Sequence, residues 1–246
     1  MTTLCFDFGN TRLKCGVFAN EVLTQIFALY DDNDLTIEDI VIKYKPDKTI
    51  LSSVIEHNPT IENILSQKSA FHKLSSQTLL PFTTPVGKPE TIGADRLALS
   101  AAAVHFYKAK NNLLIGLGSC ITFNFINKFN SFLGGSISPG MEMRFKAMNT
   151  FTAKLPLIKA TSQSSMWNFP LVGYDTRTNM ISGVVLGMAS EIDGVIDLYE
   201  EKFNNLNILL TGGDADYFIP FLKHTVIVDA DLIFKGLYAI SEANNK

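Results

Sequence analysis

Residues 4–18 read Leu-Cys-Phe-Asp-Phe-Gly-Asn-Thr-Arg-Leu-Lys-Cys-Gly-Val-Phe, and this stretch is the most informative part of the chain. One apolar run ends at Asp7, a short turn passes through Gly9, and a second apolar run begins at Leu13, which predicts strand, tight turn and strand. Glycine lets the backbone approach a ligand closely, and the amide groups of such a turn can bind an anion. With Asp7 holding Mg²⁺ through water, the turn suits the phosphates of a nucleotide. An ordinary hairpin with an Asx-type turn is the alternative.

The composition predicts one large or two small globular domains. The chain has 246 residues, of which 46% are hydrophobic and 18% charged, and its net charge is −3. These values predict a sizeable core. No run of Lys and Arg stands out, so we expect no nucleic-acid surface. No apolar stretch reaches the roughly 20 residues of a membrane helix, and the N-terminus lacks a basic region, so we expect no membrane partner, no signal peptide and a cytoplasmic location.

The cysteines and histidines do not form a metal-binding pattern. Cys5, Cys15 and Cys120 are odd in number and lack C-x-x-C spacing, which indicates reduced thiols, two of them in predicted core strands. The histidines are scattered singly with no i, i+4 pair, so a structural zinc site is not expected.

The predicted elements follow the same order in the two halves of the chain. The first half has predicted strands at 3–8, 12–18, 21–29 and 48–54, helices at 36–44, 60–67 and 94–110, and a loop at 79–90. The second half has predicted strands at 112–117, 120–127, 132–138, 206–210 and 225–228, and helices at 141–149, 176–203, 215–222 and 230–242. This predicts an α/β fold of two lobes, 1–110 and 111–246. Facing lobes would bring their glycine turns to one cleft.

Glycine turns recur where predicted strands end. Gly118–Ser119 occupies in the second half the position that the Asp7 turn occupies in the first, and residues 211–213 read Thr-Gly-Gly after a buried strand. A glycine pair before a helix permits close approach by a flat ring or a phosphate. Residues 134–140 are also rich in glycine, which indicates either a bulge and turn or a wall of backbone against a substrate.

The best candidate for chemistry is Gly93-Ala94-Asp95-Arg96, at the start of a predicted helix. Asp95 can be a helix-terminal carboxylate paired with Arg96. It can equally be a general base, with Arg96 beside it to bind an anion in bidentate fashion. Thr176 is interpreted as the N-cap of the long helix, and its hydroxyl is a further candidate for ligand contact.

Taken in order, these motifs resemble the type III pantothenate kinase family of the actin and acetate/sugar kinase superfamily. The matching stretches are 7–11 with Lys14, 93–96, 134–140, 152–156, 173–176 and 211–213. The resemblance covers nearly the whole chain. Each stretch is short, but the ordered set is specific.

The resemblance implies two ribonuclease-H-like lobes and ATP-dependent phosphorylation of pantothenate, the first step of coenzyme A biosynthesis. It implies Asp95 as catalytic base and a pantothenate site formed by Gly93, Ala94, Asp95, Arg96 and Thr176, the last across a homodimer interface. It implies magnesium, a monovalent cation (K⁺ or NH₄⁺), and an ATP-binding set comprising Asp7, Phe8, Gly9, Asn10, Thr11, Arg12, Leu13, Lys14 and Ser119.

The chain departs from the family pattern at the second glycine turn. The family usually has Asp-x-Gly-Thr-Ala where this chain has Gly-Leu-Gly-Ser-Cys at 116–120. Gly116 therefore replaces the aspartate that would bind the monovalent cation, and Ser119 replaces a threonine but keeps a hydroxyl. A kinase for another small alcohol on the same scaffold is one alternative function. A nucleotide-binding regulator without activity is another.

Overall fold

The computed structural model describes residues 1–10, 12–75, 77–85, 89–159 and 169–245. The strands are β1 (Thr2–Phe8), β2 (Leu13–Ala19), β3 (Val22–Leu29), β4 (Lys48–Ser53), β5 (Ala70–Lys73), β6 (Asn111–Leu117), β7 (Cys120–Ile126), β8 (Phe132–Pro139), β9 (Leu206–Thr211) and β10 (Ile227–Val228). The helices are α1 (Asp34–Tyr44), α2 (Thr60–Lys68), α3 (Ala94–Phe106), α4 (Met141–Phe151), α5 (Thr176–Lys202), α6 (Ala215–Phe218) and α7 (Leu232–Asn244).

The first sheet has the strand order β3-β2-β1-β4-β5. The strands β1, β2 and β3 pair antiparallel through short turns, whereas β1 pairs parallel with β4 and β4 parallel with β5. Parallel neighbours need a long crossover, and α1 and α2 supply the two crossovers here. The carboxyl ends of β1 and β4 therefore lie side by side.

The second sheet repeats this plan. Its order is β10-β9-β6-β7-β8, with β6 and β9 parallel and β9 and β10 parallel. Read from the β8 edge, the order matches that of the first sheet strand for strand. The predicted α/β fold with two ribonuclease-H-like lobes is confirmed.

The chain divides into two compact units that are not contiguous in sequence. The first contains 1–109, 126–134 and 231–246, and the second contains 110–125 and 135–230. The C-terminal helix α7 belongs to the first unit because it packs against α3 and β1. The predicted lobe boundary near residue 110 coincides with one of several crossings between the units, and the division into 1–110 and 111–246 stays a prediction.

Each unit has its own apolar core. In the first unit, side chains of the strands pack against those of α1 and α2. They form a cluster of fully or nearly fully buried residues that includes Leu4, Phe6, Phe8, Leu51 and Ile61. In the second unit, the buried face of α5 packs on β6, β7 and β9 in a cluster that includes Ile115, Phe123, Val185, Ile192 and Leu210. Burial on this scale is what fixes the strand registers.

Glycine at position 135 has a structural role in the second sheet. Gly135 has a φ of 153°, and a Cβ there would lie 1.8 Å from the carbonyl oxygen of Phe123. Only glycine permits this approach. Residues 134–139 lie within strand β8, and the close approach to the Phe123 backbone accounts for Gly135 without a ligand.

Several element boundaries differ from the sequence prediction. The strand β5 was not predicted, because Ala70–Lys73 is a four-residue edge strand with no buried residue and therefore no clear alternation. The predicted helix 94–110 ends at Phe106, and the predicted helix 215–222 is a short α-helix followed by a 3₁₀ turn. Among the described residues, none of the helices combines the length and the apolar character needed to span a membrane.

Candidate active site

The turn between β1 and β2 brings a carboxylate and an ammonium group to the same place. Asp7 pairs with Lys14 in the antiparallel register, so their side chains leave the same face of the sheet. The amide of Gly9 donates a 3.2 Å hydrogen bond to the carbonyl oxygen of Arg12, which closes the turn. The sequence prediction of strand, tight turn and strand is confirmed here.

The other residues of this turn divide between core and solvent. Phe8 is fully buried, and Leu13 packs against the same core. Asn10 and Arg12 are exposed, and Thr11 lies outside the described residues. A contact between Phe8 and a nucleotide can therefore come only from the Phe8 backbone.

Asp7 lies in an environment that disfavours its charge. Burial raises the pKa of Asp7 from 3.8 to about 6, Lys14 opposes this shift, and the charge of Asp95 adds to it. Both carboxylates belong to the first compact unit. Asp95 is therefore close enough to Asp7 for their charges to interact, although the two residues are far apart in sequence.

Asp7→Asn is expected to stabilise the ligand-free protein at neutral pH. A carboxyl group with its pKa raised from 3.8 to about 6 binds its proton more tightly in the folded state, so stability is lost as the pH rises through this range. The neutral amide removes a penalty of at most about 3 kcal/mol. In urea unfolding, the difference between variant and wild type should grow between about pH 4 and about pH 7.

Asp31→Asn is the control for this experiment. Hydrogen bonds, first from Thr36 and then from Asn33, lower the pKa of the Asp31 carboxyl, so its neutralisation should shift stability in the opposite direction. An Asp7→Asn gain that did not change with pH would contradict the assigned cause.

The carboxylate of Asp95 folds back over Gly93 at the start of α3. Gly93 is the N-cap residue, and its carbonyl oxygen accepts a 3.1 Å hydrogen bond from the amide of Leu97. A Cβ on Gly93 would lie 2.6 Å from Oδ1 of Asp95. The carboxylate thus occupies the space that a side chain at position 93 would need, near the free amides of the helix, where negative charge is favoured.

Gly93→Ala is expected to reduce turnover with little change in stability. The φ of Gly93 is −58°, which alanine adopts freely. Among the described residues, the close contact of the new methyl group is with the Asp95 side chain, which can move away. A displacement of about 1 Å at a reacting group can cost about a hundredfold in rate. We expect kcat to fall by about this factor, with an unchanged melting temperature.

The control is Gly187→Ala on α5, where a Cβ would have no neighbour within 4 Å in the described part of the chain. This variant should retain wild-type kcat. Equal kcat values for the two variants would show that the space over Gly93 does not matter for catalysis.

Arg96 follows Asp95 and is half-buried. Its guanidinium carbon lies 5.7 Å from the centre of the Phe132 ring, within the range of a cation–π interaction. Its carbonyl oxygen accepts a 2.9 Å hydrogen bond from the Ser100 hydroxyl. Packing on the Phe132 ring restricts the positions that the Arg96 guanidinium can take. A guanidinium group held in this way is suited to binding a carboxylate.

In the second unit, the Gly118–Ser119 turn is covered by Gly140, the N-cap residue just before α4. The amide of Gly140 donates a 3.1 Å hydrogen bond to the carbonyl oxygen of Ser119. A Cβ on Gly140 would lie 2.2 Å from the carbonyl oxygen of Gly118, so only glycine fits. The Ser119 residue itself is exposed.

The Thr211–Gly213 turn packs on the end of β6. Gly212 has a φ of 105°, and a Cβ there would lie 2.1 Å from the carbonyl oxygen of Leu117, which also accepts a 3.2 Å hydrogen bond from the amide of Asp214. Burial and, to a lesser degree, Glu142 raise the pKa of Asp214. The sequence places Asp214 directly after the glycine pair, but no motif assigned a role to Asp214 or to Glu142.

Gly116 pairs with Thr211 in the register of β6 and β9. It has no side-chain oxygen to offer a cation.

Thr176 is the first residue of α5 and is exposed, but it is not the N-cap as predicted. Asp175 is the N-cap, because its carboxylate accepts a 2.7 Å hydrogen bond from the amide of Thr178 and forms a capping box.

The predicted site residues therefore fall into two sets. The first unit contains Asp7, Phe8, Gly9, Asn10, Arg12, Leu13, Lys14, Gly93, Ala94, Asp95 and Arg96, and the second contains Gly116, Ser119 and Thr176. Within the first set, the electrostatic interaction between Asp7 and Asp95 links the turn to the start of α3.

Among the described residues, one group of side chains could in principle hold a metal ion. His224 lies 2.9 Å through Nε2 from Asp197 and 3.5 Å through Nδ1 from Glu200. Because the two carboxylates face opposite nitrogens of one ring, their contacts with the imidazole account for the group without a metal ion.

Residues 3–198 match the sequence profile of the family described as type III pantothenate kinase. The chain belongs to the type III pantothenate kinase family. The type III pantothenate kinase of Christiangramia forsetii is 38% identical over 98% of both chains. The family assignment from sequence motifs is thus confirmed.

Two solved structures share the fold. One is a Campylobacter jejuni protein described as a Baf family transcriptional activator, with a TM-score of 0.59, 24% identity and 98% coverage of both chains. The other is a ROK family glucokinase from Streptomyces griseus in complex with glucose and AMPPNP, with a TM-score of 0.52, 11% identity and 99% coverage of both chains.

Type III pantothenate kinases phosphorylate pantothenate in coenzyme A biosynthesis, and the chain is accordingly an ATP-dependent kinase.

Proposed function

We propose that Asp95 is the catalytic base that accepts the pantothenate hydroxyl proton, and that the Asp7–Lys14 turn binds the ATP phosphates. The observation that supports this most directly is the effect of the Asp95 charge on the pKa of Asp7. Two carboxylates in one compact unit, one in a phosphate-type turn and one at a helix start, match the needs of phosphoryl transfer.

In the proposed reaction, the primary hydroxyl of pantothenate attacks the γ-phosphorus of ATP in line. A new P–O bond forms, the bond to the bridging oxygen breaks, ADP leaves, and the hydroxyl proton passes to Asp95. The product is 4′-phosphopantothenate. A carboxylate is a weak base toward an alcohol, so Asp95 chiefly orients the hydroxyl and takes its proton late.

Asp7 fits the role of a magnesium residue. Its half-buried carboxylate is the ligand type that Mg²⁺ prefers, usually through water. The charges of Asp7 and Asp95 repel each other, and a cation beside them relieves this. When bound, Mg²⁺ would neutralise charge on the phosphates. Lys14, opposite Asp7 in the hairpin, would bind the phosphates directly.

Arg96 is proposed to bind the carboxylate of pantothenate, with Gly93 and Ala94 forming the wall beside it. A guanidinium group makes two parallel hydrogen bonds to a carboxylate. Ser119 is proposed as an ATP contact, and Thr176 as a pantothenate contact supplied across a homodimer interface.

Gly116 itself does not fit a monovalent cation site, because glycine offers neither a carboxylate nor a side-chain oxygen. We derive no step of the reaction from such a cation. Turnover that is the same with and without K⁺ and NH₄⁺ is the expected result.

The test is a coupled assay of ADP release. ATP-dependent turnover with pantothenate supports the proposal, turnover only with another small alcohol supports the alternative substrate class, and nucleotide binding without turnover supports a regulator. Repeating the assay with and without K⁺ and NH₄⁺ tests the consequence of Gly116. We expect the protein to appear in the cytoplasmic fraction of the cell and to have the mass of a dimer in light scattering.

A further inference from the structure

A histidine lies behind the proposed phosphate turn. The ring of His57 is hydrogen-bonded at both nitrogens: Nδ1 lies 2.9 Å from Oγ of Ser53, and Nε2 lies 3.1 Å from Oε1 of Glu62. Only 8% of the His57 side chain is exposed. The ring also packs edge-on against Phe8, with the centroids 6.0 Å apart.

One of these partners, Phe8, ends the strand β1 that leads into the turn, and another, Ser53, ends the neighbouring parallel strand β4. Ser53 pairs with Phe8 in the parallel register of β1 and β4. The next amide, that of Val54, donates a 3.0 Å hydrogen bond to the carbonyl oxygen of Phe8. His57 therefore contacts the ring of Phe8 and the hydroxyl of Ser53. Ser53 directly precedes Val54, whose amide binds the Phe8 carbonyl oxygen.

The hydrogen-bond donors show how His57 is anchored. Glu62 also accepts a 2.6 Å hydrogen bond from Lys73, and this bond is the main cause that lowers the Glu62 pKa. The ionised carboxylate only accepts hydrogen bonds, so Nε2 of His57 carries a proton. The Ser53 hydroxyl lies 3.0 Å from the carbonyl oxygen of Ile55 and donates either to that oxygen or to Nδ1. In both arrangements the ring stays bonded at both ends.

We propose that His57 is a positioning residue for ATP. Its contacts fix the positions of Phe8 and Ser53. Because Phe8 directly follows Asp7, these contacts also fix the start of the Asp7–Lys14 turn. This inference rests on the proposed function, which assigns the Asp7–Lys14 turn to ATP. Because His57 contacts Ser53, Glu62 and Phe8, its loss should weaken ATP binding selectively.

The experiment measures steady-state kinetics of His57→Ala, His57→Asn and His57→Gln. We expect KM for ATP to rise about tenfold in the Ala variant, the effect of losing one or two buried hydrogen bonds. We expect kcat and KM for pantothenate to change by less than about twofold, since the substitution removes neither the proposed base nor a proposed pantothenate contact. An Asn amide can take the place of Nδ1 and a Gln amide that of Nε2. Because the proposed path runs through Ser53, Asn should restore KM for ATP better than Gln.

The control is His72→Ala, another partly buried histidine of the same unit, whose Nε2 lies 2.8 Å from Oγ1 of Thr78. It should lose a similar amount of thermal stability and keep the wild-type KM for ATP. The inference is overturned if His57→Ala lowers the melting temperature but leaves KM for ATP unchanged. It is also overturned if KM rises equally for ATP and pantothenate. If the Ala variant does not fold, a KM for ATP that is equal in the Asn and Gln variants overturns it.

Lys14→Ala separates this inference from the proposed function. If Lys14→Ala leaves KM for ATP unchanged, the assignment of the turn to ATP fails. If Lys14→Ala raises KM for ATP and the His57 variants do not, only the positioning role fails.

Discussion

Asp95→Asn is expected to lower kcat by about a thousandfold while ATP affinity stays near that of the wild type. General base catalysis is worth about a hundred- to ten-thousandfold. The amide keeps the shape of the carboxylate but cannot accept the hydroxyl proton. Binding of ATP, proposed to depend on the Asp7–Lys14 turn, does not require this proton acceptor.

The measurement combines the ADP-release assay with calorimetric titration of a non-hydrolysable ATP analogue. Asp34→Asn is a matched control, because Asp34 is also an acidic residue in the first turn of a helix in the first unit. It should turn over normally. Wild-type turnover by Asp95→Asn would show that Asp95 is a helix-terminal carboxylate only, the alternative that its position at the start of α3 also allows.

The sequence predicts most of the fold because its strongest patterns are local. The alternation of apolar residues on both sides of the Gly9 turn predicts β1 and β2, and its repetition at Gly118 predicts the duplicated plan. The strand β5 could not be predicted, since Ala70–Lys73 is short and lies at an edge with no buried side chain. Its only signal is its pairing with β4, which is a tertiary feature.

The site could be predicted in part only. Asp7 and Asp95 stand out from their local motifs, but their mutual interaction depends on how α3 packs in the first unit. His57 has no motif at all, and its place behind the phosphate turn follows from the register of β1 and β4. Asp214 and Glu142 are likewise brought together by folding. Residues selected by register or packing carry no signature in a single sequence.

Gly236→Ala is expected to destabilise the protein by about 3 kcal/mol or more. Gly236 lies on α7 and is buried in the first unit. A Cβ there would lie 1.8 Å from the carbonyl oxygen and 2.5 Å from the carbonyl carbon of Ala98, on α3. These are backbone atoms, so no side-chain rotation relieves the overlap and the two helices must separate.

The measurement is urea unfolding together with kcat, and Gly194→Ala on α5 is the control. At Gly194 a Cβ would meet none of the described residues within 4 Å, so alanine should raise stability by about 0.5–1 kcal/mol through its higher helix propensity. Because α3 also carries Asp95, any Gly236→Ala protein that folds should show a lower kcat, whereas Gly194→Ala should not. The same substitution on two helices is thus expected to have opposite effects on stability. A gain in stability at both positions would mean that α3 and α7 do not pack through Gly236, and the position of Asp95 in the first unit would lose its structural support.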